Sequence, residues 1–355
     1  MTLVPSAIEI VVGILLLFGG GELFVGGSTA VALLLGIPQI VIGLTVVSLG
    51  TSAPELFVSL ISTIQGGDAI AVSNVVGSNI FNVLVVLGLS ALVVPLRVQS
   101  RLVRRDVPLL LGVSMAVWGM ASGGRLTWQA GLALLVVLVI NLVWEMRTAG
   151  EHPDEVDDID DSDRATPAVA ATKLAAGLVL LVVGSQVLVK GATTAAVALG
   201  VSQTVIGLTI VATGTSMPEL VTSLVAAYRG KADLAIGNVV GSNLLNQLLI
   251  LGLCGVASGA QGLEVDPVLV SRDLPIMVLT TMACLPIFWT DGAITRLEGA
   301  ILVALYGLYL LEQVLSNTFT SALDEFRFVA LLIVLPVVLV FLVWQTLRWR
   351  RDRLA

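Results

Sequence analysis

A chain of 355 residues that is 57% hydrophobic and only 12% charged, with a mean hydropathy of +1.01, carries more apolar surface than a water-soluble domain can hide. A single histidine, His152, and two cysteines without CxxC spacing, Cys254 and Cys284, argue against a histidine-based catalytic centre or a soft-metal site and for buried, unpaired thiols. The net charge of -7 arises mostly in one segment, EHPDEVDDIDDSD at residues 151–163, which holds eight acidic side chains; it reads as a solvated hinge and lacks the spacing of an EF-hand loop.

Apolar runs near the ~20 residues needed to cross a bilayer begin at about 8–33, with no basic stretch before it and no small-residue cleavage site, so this span is expected to be retained. Ten more follow at about 38–64, 70–94, 106–122, 126–145, 171–199, 203–228, 233–257, 273–290, 295–315 and 328–347. The fold class is an all-α polytopic membrane protein. The expected layout is a first five-helix repeat over 1–146, an acidic cytoplasmic linker over 147–170, a second five-helix repeat over 171–318, and an extra helix with a basic tail over 319–355.

The repeat is read directly from the residues. Positions 39–60 and 203–224 share fifteen of 22 residues at an offset of 164, and 73–90 and 237–254 share eleven of 18 at the same offset. More than half of the matches are Gly, Thr, Ser, Pro, Asn and Glu, which do not interchange as aliphatics do. Five spans precede the second copy, so it enters the membrane from the opposite side, and the repeats are expected to be inverted. Lysine and arginine sort fourteen to three in favour of an outside N-terminus, with linker and C-terminus inside.

Within each copy, GLTVVSLGTSAPEL and GLTIVATGTSMPEL set Glu55 and Glu219 in lipid-grade sequence, where a carboxylate is a functional residue by default. Pro54 and Pro218 remove a backbone donor and clash with the carbonyls of Gly50 and Gly214, so both helices should open there. Ser48, Thr51, Ser52 and Glu55 fall on one face, as do Asn74, Ser78 and Asn82 in the next span. The second copy supplies Thr215, Ser216 and Glu219, then Asn238, Ser242 and Asn246, with Ala212 in place of Ser48, able to offer only its carbonyl. This all-oxygen set suits hard cations such as Ca²⁺ or Na⁺. Asn74 and Asn238 are expected to brace the broken segments. Glu22 and Lys190, inside the first and sixth spans, have no aligned counterparts and no assigned role.

The pairs GLTVVSLGTSAPEL with SNVVGSNIFN, and GLTIVATGTSMPEL with GNVVGSNLLN, resemble the two alpha repeats of the calcium/cation antiporter superfamily, in its prokaryotic sodium/calcium exchanger branch. That resemblance covers about residues 7–315. It implies a ten-helix inverted-repeat core in the cell membrane that exchanges Ca²⁺ for Na⁺ by alternating access, without a cofactor, a nucleic acid or an obligate protein partner. It places ion binding on Ser48, Thr51, Ser52, Glu55, Ser78, Asn82, Ala212, Thr215, Ser216, Glu219, Ser242 and Asn246. A proton-coupled antiporter of the same fold is the alternative, disfavoured by Thr51 and Thr215, where proton-coupled relatives usually carry Asn. A cation channel fits broken helices less well, and no residues for intramembrane hydrolysis are present in the spans.

Overall fold

The computed structural model describes residues 3–148, 165–201, 203–289, 292–318 and 323–330, with 332, 336–338, 340, 341 and 347. Almost all of it is helical. In chain order, α1 is Leu3–Leu35, α2 covers residues 39–51 and α3 is Ala53–Ile64, bent by 48° against α2. They are followed by α4, Asp68–Val93, α5, Val107–Ala121, and α6, Trp128–Thr148. The second series is α7, Pro167–Ala198, α8 over residues 203–214, α9, Met217–Tyr228, α10, Ala232–Ala257, α11, Leu274–Trp289, and α12, Arg296–Thr318. These segments coincide with ten of the eleven predicted spans. Of the eleventh, the described part is the end of the short α13, Leu323–Val329, which begins before it, and scattered positions beyond; His152 and the acidic stretch lie outside the described residues. Apolar side chains such as Leu15, Phe57, Ile64, Val139 and Val179 are exposed on the outside, as they must be where lipid is the solvent. Cys254 and Cys284 are buried and unpaired.

The helices are not uniformly α. Single π-helical turns occur at Gly43–Val47 and Gly207–Val211, at Asn82–Leu87 and Asn246–Ile250, and at Leu102–Asp106 and Leu269–Asp273, so each has a counterpart in the other copy. Such turns widen the helix by one residue and leave backbone groups to be met by side chains, which is why they gather at functional positions.

Helices α1 and α7 lie antiparallel with their backbones in contact. Gly13, Gly20 and Gly27, seven residues apart, face Leu188, Leu181 and Leu174; Gly177, Gly184 and Gly191 face Phe24, Leu17 and Ile10. A Cβ added at Gly13 would lie 2.6 Å from the Leu188 amide nitrogen, and one at Gly177 2.5 Å from that of Phe24. Small residues at a seven-residue period permit this approach, and van der Waals contact then supplies the attraction that lipid does not. Lys190 pairs with Glu9 across the same interface at 2.7 Å. Glu22 instead pairs with Arg229, just past α9, and Lys231 donates to Thr29 at 3.0 Å. The two orphan charges of the sequence therefore stitch α1 to its partner helix and to the core.

The remaining helices form the core around α4 and α10, whose middles are buried almost completely. Two short antiparallel pairings join the copies: Leu96 and Arg97 with Ile294 and Ala293, and Arg125 and Leu126 with Glu264 and Leu263. A further duplicated set, unread in the sequence because three added residues shift its offset to 167, is Arg105-Asp106 with Glu145 and Arg272-Asp273 with Glu312. Arg105 and Arg101 pair with Glu145, linking α5 to α6, and Arg272 reaches Glu312 at 3.1 Å, linking α11 to α12.

Candidate functional site

The helix breaks are made by local sequence. Ser52-Ala-Pro-Glu55 and Ser216-Met-Pro-Glu219 have the spacing of a capping box, with Pro in the first turn, where its missing N–H costs nothing. Both helices α3 and α9 do restart at these points. Yet neither serine caps its own helix. Ser52 Oγ donates to Glu219 Oε1 at 3.1 Å, and Ser216 Oγ donates to Glu55 Oε1 at 2.9 Å. Each carboxylate, in the first turn of its own helix where the dipole favours negative charge, is held by the hydroxyl of the other copy.

Around this exchange the expected residues assemble. Ser78 Oγ lies 3.1 Å from Ser216 Oγ. Thr51 Oγ1 donates to Asn238 Oδ1 at 3.1 Å and lies 3.5 Å from Ser242 Oγ. Glu55, Glu219, Ser48, Thr51, Ser52, Ser78, Asn82, Ser216, Ser242 and Asn246 are all buried; Thr215 is half-buried and Ala212 exposed. Asn74 donates to Ser59 Oγ at 3.0 Å and to the Glu55 carbonyl at 3.5 Å, while Asn238 makes the equivalent bonds to Ser223 Oγ at 2.9 Å and the Glu219 carbonyl at 3.3 Å. These two asparagines brace the broken helices.

The carbonyls freed by the prolines each take a donor from the protein. The Gly214 carbonyl, left without its usual donor by Pro218, accepts a hydrogen bond from Ser185 of α7, and the Gly50 carbonyl accepts one from the backbone at the end of α2. Each keeps its second lone pair. Five side-chain oxygens at the site have no partner at all: Glu55 Oε2, Glu219 Oε2, Asn82 Oδ1, Asn246 Oδ1 and Thr215 Oγ1 are buried without a hydrogen-bond partner among the described residues. Among the described residues no three or more His, Cys, Asp or Glu side chains converge, so a cation here would rest on two carboxylates and neutral oxygens.

The two approaches to the site differ. Where α2 crosses α10, a Cβ on Gly43 would lie 3.0 Å from the Leu234 carbonyl, and one on Gly241 2.6 Å from Leu44 Cα. Ser48 sits in this crossing, its Oγ donating to the Gly43 carbonyl of its own helix at 2.5 Å, with the Asn238 and Gly237 carbonyls of α10 at 3.1 and 3.4 Å. At the equivalent crossing of α8 with α4, Gly207 and Gly77 have nothing among the described residues within 4 Å of such a Cβ.

Missed in the sequence were Asn79 and Asn243, one residue beyond Ser78 and Ser242 and so off the four-residue stripe. Asn82 Nδ2 donates to Asn243 Oδ1 at 3.1 Å and Asn246 Nδ2 to Asn79 Oδ1 at 3.2 Å. Both were visible within the repeated GSN triplets.

The family model described as sodium/calcium exchanger protein matches residues 6–147 and 170–315. The chain belongs to the sodium/calcium exchanger family. Relatives include the inner membrane protein YrbG of Escherichia coli, 33% identical over 86% of this chain and 97% of its own. The sodium/calcium exchanger MaX1 of Methanosarcina acetivorans is 32% identical, with coverage of 85% and 96%. Among solved structures, the sodium-calcium exchanger NCX_Mj soaked with 10 mM Na⁺ and 10 mM Sr²⁺ superposes with a TM-score of 0.74 at 29% identity, over 87% of this chain and 98% of that one. Membership of this exchanger family makes the protein a multi-pass membrane transporter and not an enzyme.

Proposed function

We propose that the protein is a secondary antiporter exchanging Ca²⁺ for Na⁺ by alternating access, with Glu55 and Glu219 at the centre of a midplane oxygen cage. The observation that carries this reading is the reciprocal bonding of the two carboxylates, each engaged through Oε1 by the other copy's serine and each keeping Oε2 unpartnered. Two negative charges neutralise one Ca²⁺. The free amide and hydroxyl oxygens of Asn82, Asn246 and Thr215, with the second lone pairs of Ser52, Ser78, Thr51, Ser216 and Ser242, approach the six to eight oxygens that Ca²⁺ takes. The Ala212 carbonyl completes the set on the open side. Empty, two buried carboxylates resist closure because their desolvation is uncompensated, so the site closes around Ca²⁺ or around Na⁺ and the fluxes are coupled.

The five-helix units 1–146 and 171–318 act as inverted repeats. The antiparallel α1–α7 pair and the cross-copy strand pairings support that arrangement. The N-terminus lies outside, and the linker 147–170 and the tail of 319–355 lie in the cytoplasm. On that orientation the sealed α2–α10 crossing faces the cytoplasm and the loose α8–α4 crossing faces out. The test is ⁴⁵Ca²⁺ uptake into proteoliposomes with Na⁺, K⁺ and H⁺ gradients imposed separately. Na⁺-driven uptake is expected, abolished by Glu55→Gln and by Glu219→Gln. Uptake driven by a pH gradient without Na⁺ would replace the coupling ion, and wild-type exchange in either variant would remove the carboxylate cage.

A further inference from the structure

An asparagine can turn either its carbonyl oxygen or its NH₂ toward a cation, and only one of the two binds. At Asn82 and Asn246 something must decide, because both side chains are wholly buried and a flipped amide would present hydrogens to the ion. We propose that Asn243 and Asn79 are positioning residues that fix these amides, each from the opposite copy, so that Asn82 Oδ1 and Asn246 Oδ1 face the ion. The inference rests on the proposed binding role of Asn82 and Asn246 and adds what orients them.

The orientation is propagated from a group that cannot flip. The backbone carbonyl of Asn79 is only an acceptor, and Asn243 Nδ2 donates to it at 3.2 Å. With its NH₂ fixed there, Asn243 turns Oδ1 to its other neighbour, where it accepts from Asn82 Nδ2 at 3.1 Å. Asn82 must therefore use its NH₂ away from the ion, and its Oδ1 is left buried and unpartnered. The second relay runs the other way across the pseudo-two-fold. Asn79 Oδ1 accepts from Asn246 Nδ2 at 3.2 Å, leaving Asn246 Oδ1 unpartnered. Its far end is softer, because Asn79 Nδ2 meets the Met277 thioether at 3.6 Å, and sulfur is a weak acceptor. The Asn243–Asn82 relay is thus the more firmly set of the two.

The brace also explains the place of these residues. Asn82 and Asn246 each open a π-helical turn, where the widened helix leaves room for the amides to cross between α4 and α10. Outer partners that orient a metal's ligands are worth about 10- to 100-fold in affinity, so a large effect is expected from residues that touch no ion.

The experiment is a double-mutant cycle on equilibrium ⁴⁵Ca²⁺ binding to the purified full-length protein, using Asn243→Ala, Asn82→Ala and the double variant. Asn243→Ala is expected to raise the Ca²⁺ Kd about tenfold, and the double variant is expected to match Asn82→Ala alone, because a brace has no effect once its ligand is gone. Multiplying losses in the double variant, or wild-type affinity in Asn243→Ala, would overturn the brace. Wild-type affinity in Asn82→Ala would instead overturn the ligand role on which it rests. Should Asn243→Ala fail to fold, the parallel cycle of Asn79→Ala with Asn246→Ala applies, with a smaller single effect and the same non-additivity.

Discussion

The α2–α10 crossing and the α8–α4 crossing are built from sequence that is two-thirds identical, and they are packed differently. In the first, Gly43 and Gly241 bring backbone against backbone and Ser48 bridges the Gly43 carbonyl of its own helix and the carbonyls of α10; in the second, Gly77 and Gly207 meet nothing within 4 Å among the described residues. The difference teaches that the repeated sequence specifies two packings of one crossing rather than a fixed interface. On the proposed alternating-access reading, the two packings are the closed and open forms of one door, which a bound ion could bias. Part of the asymmetry is nevertheless written in the residues: in the aligned copies Ser48 is matched by Ala212, Ser73 by Gly237, Gly21 by Ser185, and Glu22 by Gln186.

The sharpest way to break the comparison is to fill both crossings. Gly241→Val should destabilise the protein by about 1–3 kcal/mol, since its Cβ meets the backbone of Leu44 and overpacking of that kind is costly. Gly77→Val should stay within about 0.5 kcal/mol yet stop transport, if α8 must close onto α4. Thermal unfolding of the detergent-purified variants together with proteoliposome flux separates the two, and equal destabilisation would show that the crossings are alike. Next, Ser185→Ala strands the Gly214 carbonyl, at about 1–3 kcal/mol for a buried acceptor left unmade, while the first copy, with Gly21 at that place, has no equivalent bond to lose. Ser48→Ala should cost about 1 kcal/mol and loosen the sealed side. Smallest of all, Glu22→Gln removes the partly exposed pair with Arg229, worth up to about 1 kcal/mol. Labelling of a cysteine placed at Gly77 by a membrane-impermeant thiol reagent should then fall by no more than about fivefold as the protein leaves this state, and Arg229→Gln should do the same.

Much of this was legible before any coordinates. Apolar runs located ten helices because a bilayer tolerates little else, and Pro54 and Pro218 marked the breaks because proline ends a hydrogen-bond ladder. The repeated GTSxPE and GSNxxN motifs located the carboxylates, hydroxyls and amides. The remainder depended on contacts between the copies, which a single repeat does not encode. Ser52-Ala-Pro-Glu55 reads as a local cap, but burial beside a second carboxylate sends its hydroxyl across to Glu219. Asn79 and Asn243 escaped a search for one-faced stripes because they act sideways, between helices. The π-helical turns have no composition of their own, and neither does the choice of which crossing is closed.

The glycine seams of α1 and α7 have a mechanical consequence. Side-chain layers between helices are compliant, and a shift at one end is absorbed by rotamer changes before it reaches the other. Here six glycines at seven-residue intervals remove that layer, so the two helices behave as one stiff rod, about 50 Å long at 1.5 Å per residue over the 33 residues of α1. A close-packed pair of this kind passes a displacement on instead of absorbing it. On the proposed alternating-access reading, tightness against leak would then be set by the spacing of glycines far from any charge and not by the chemistry of the ion site.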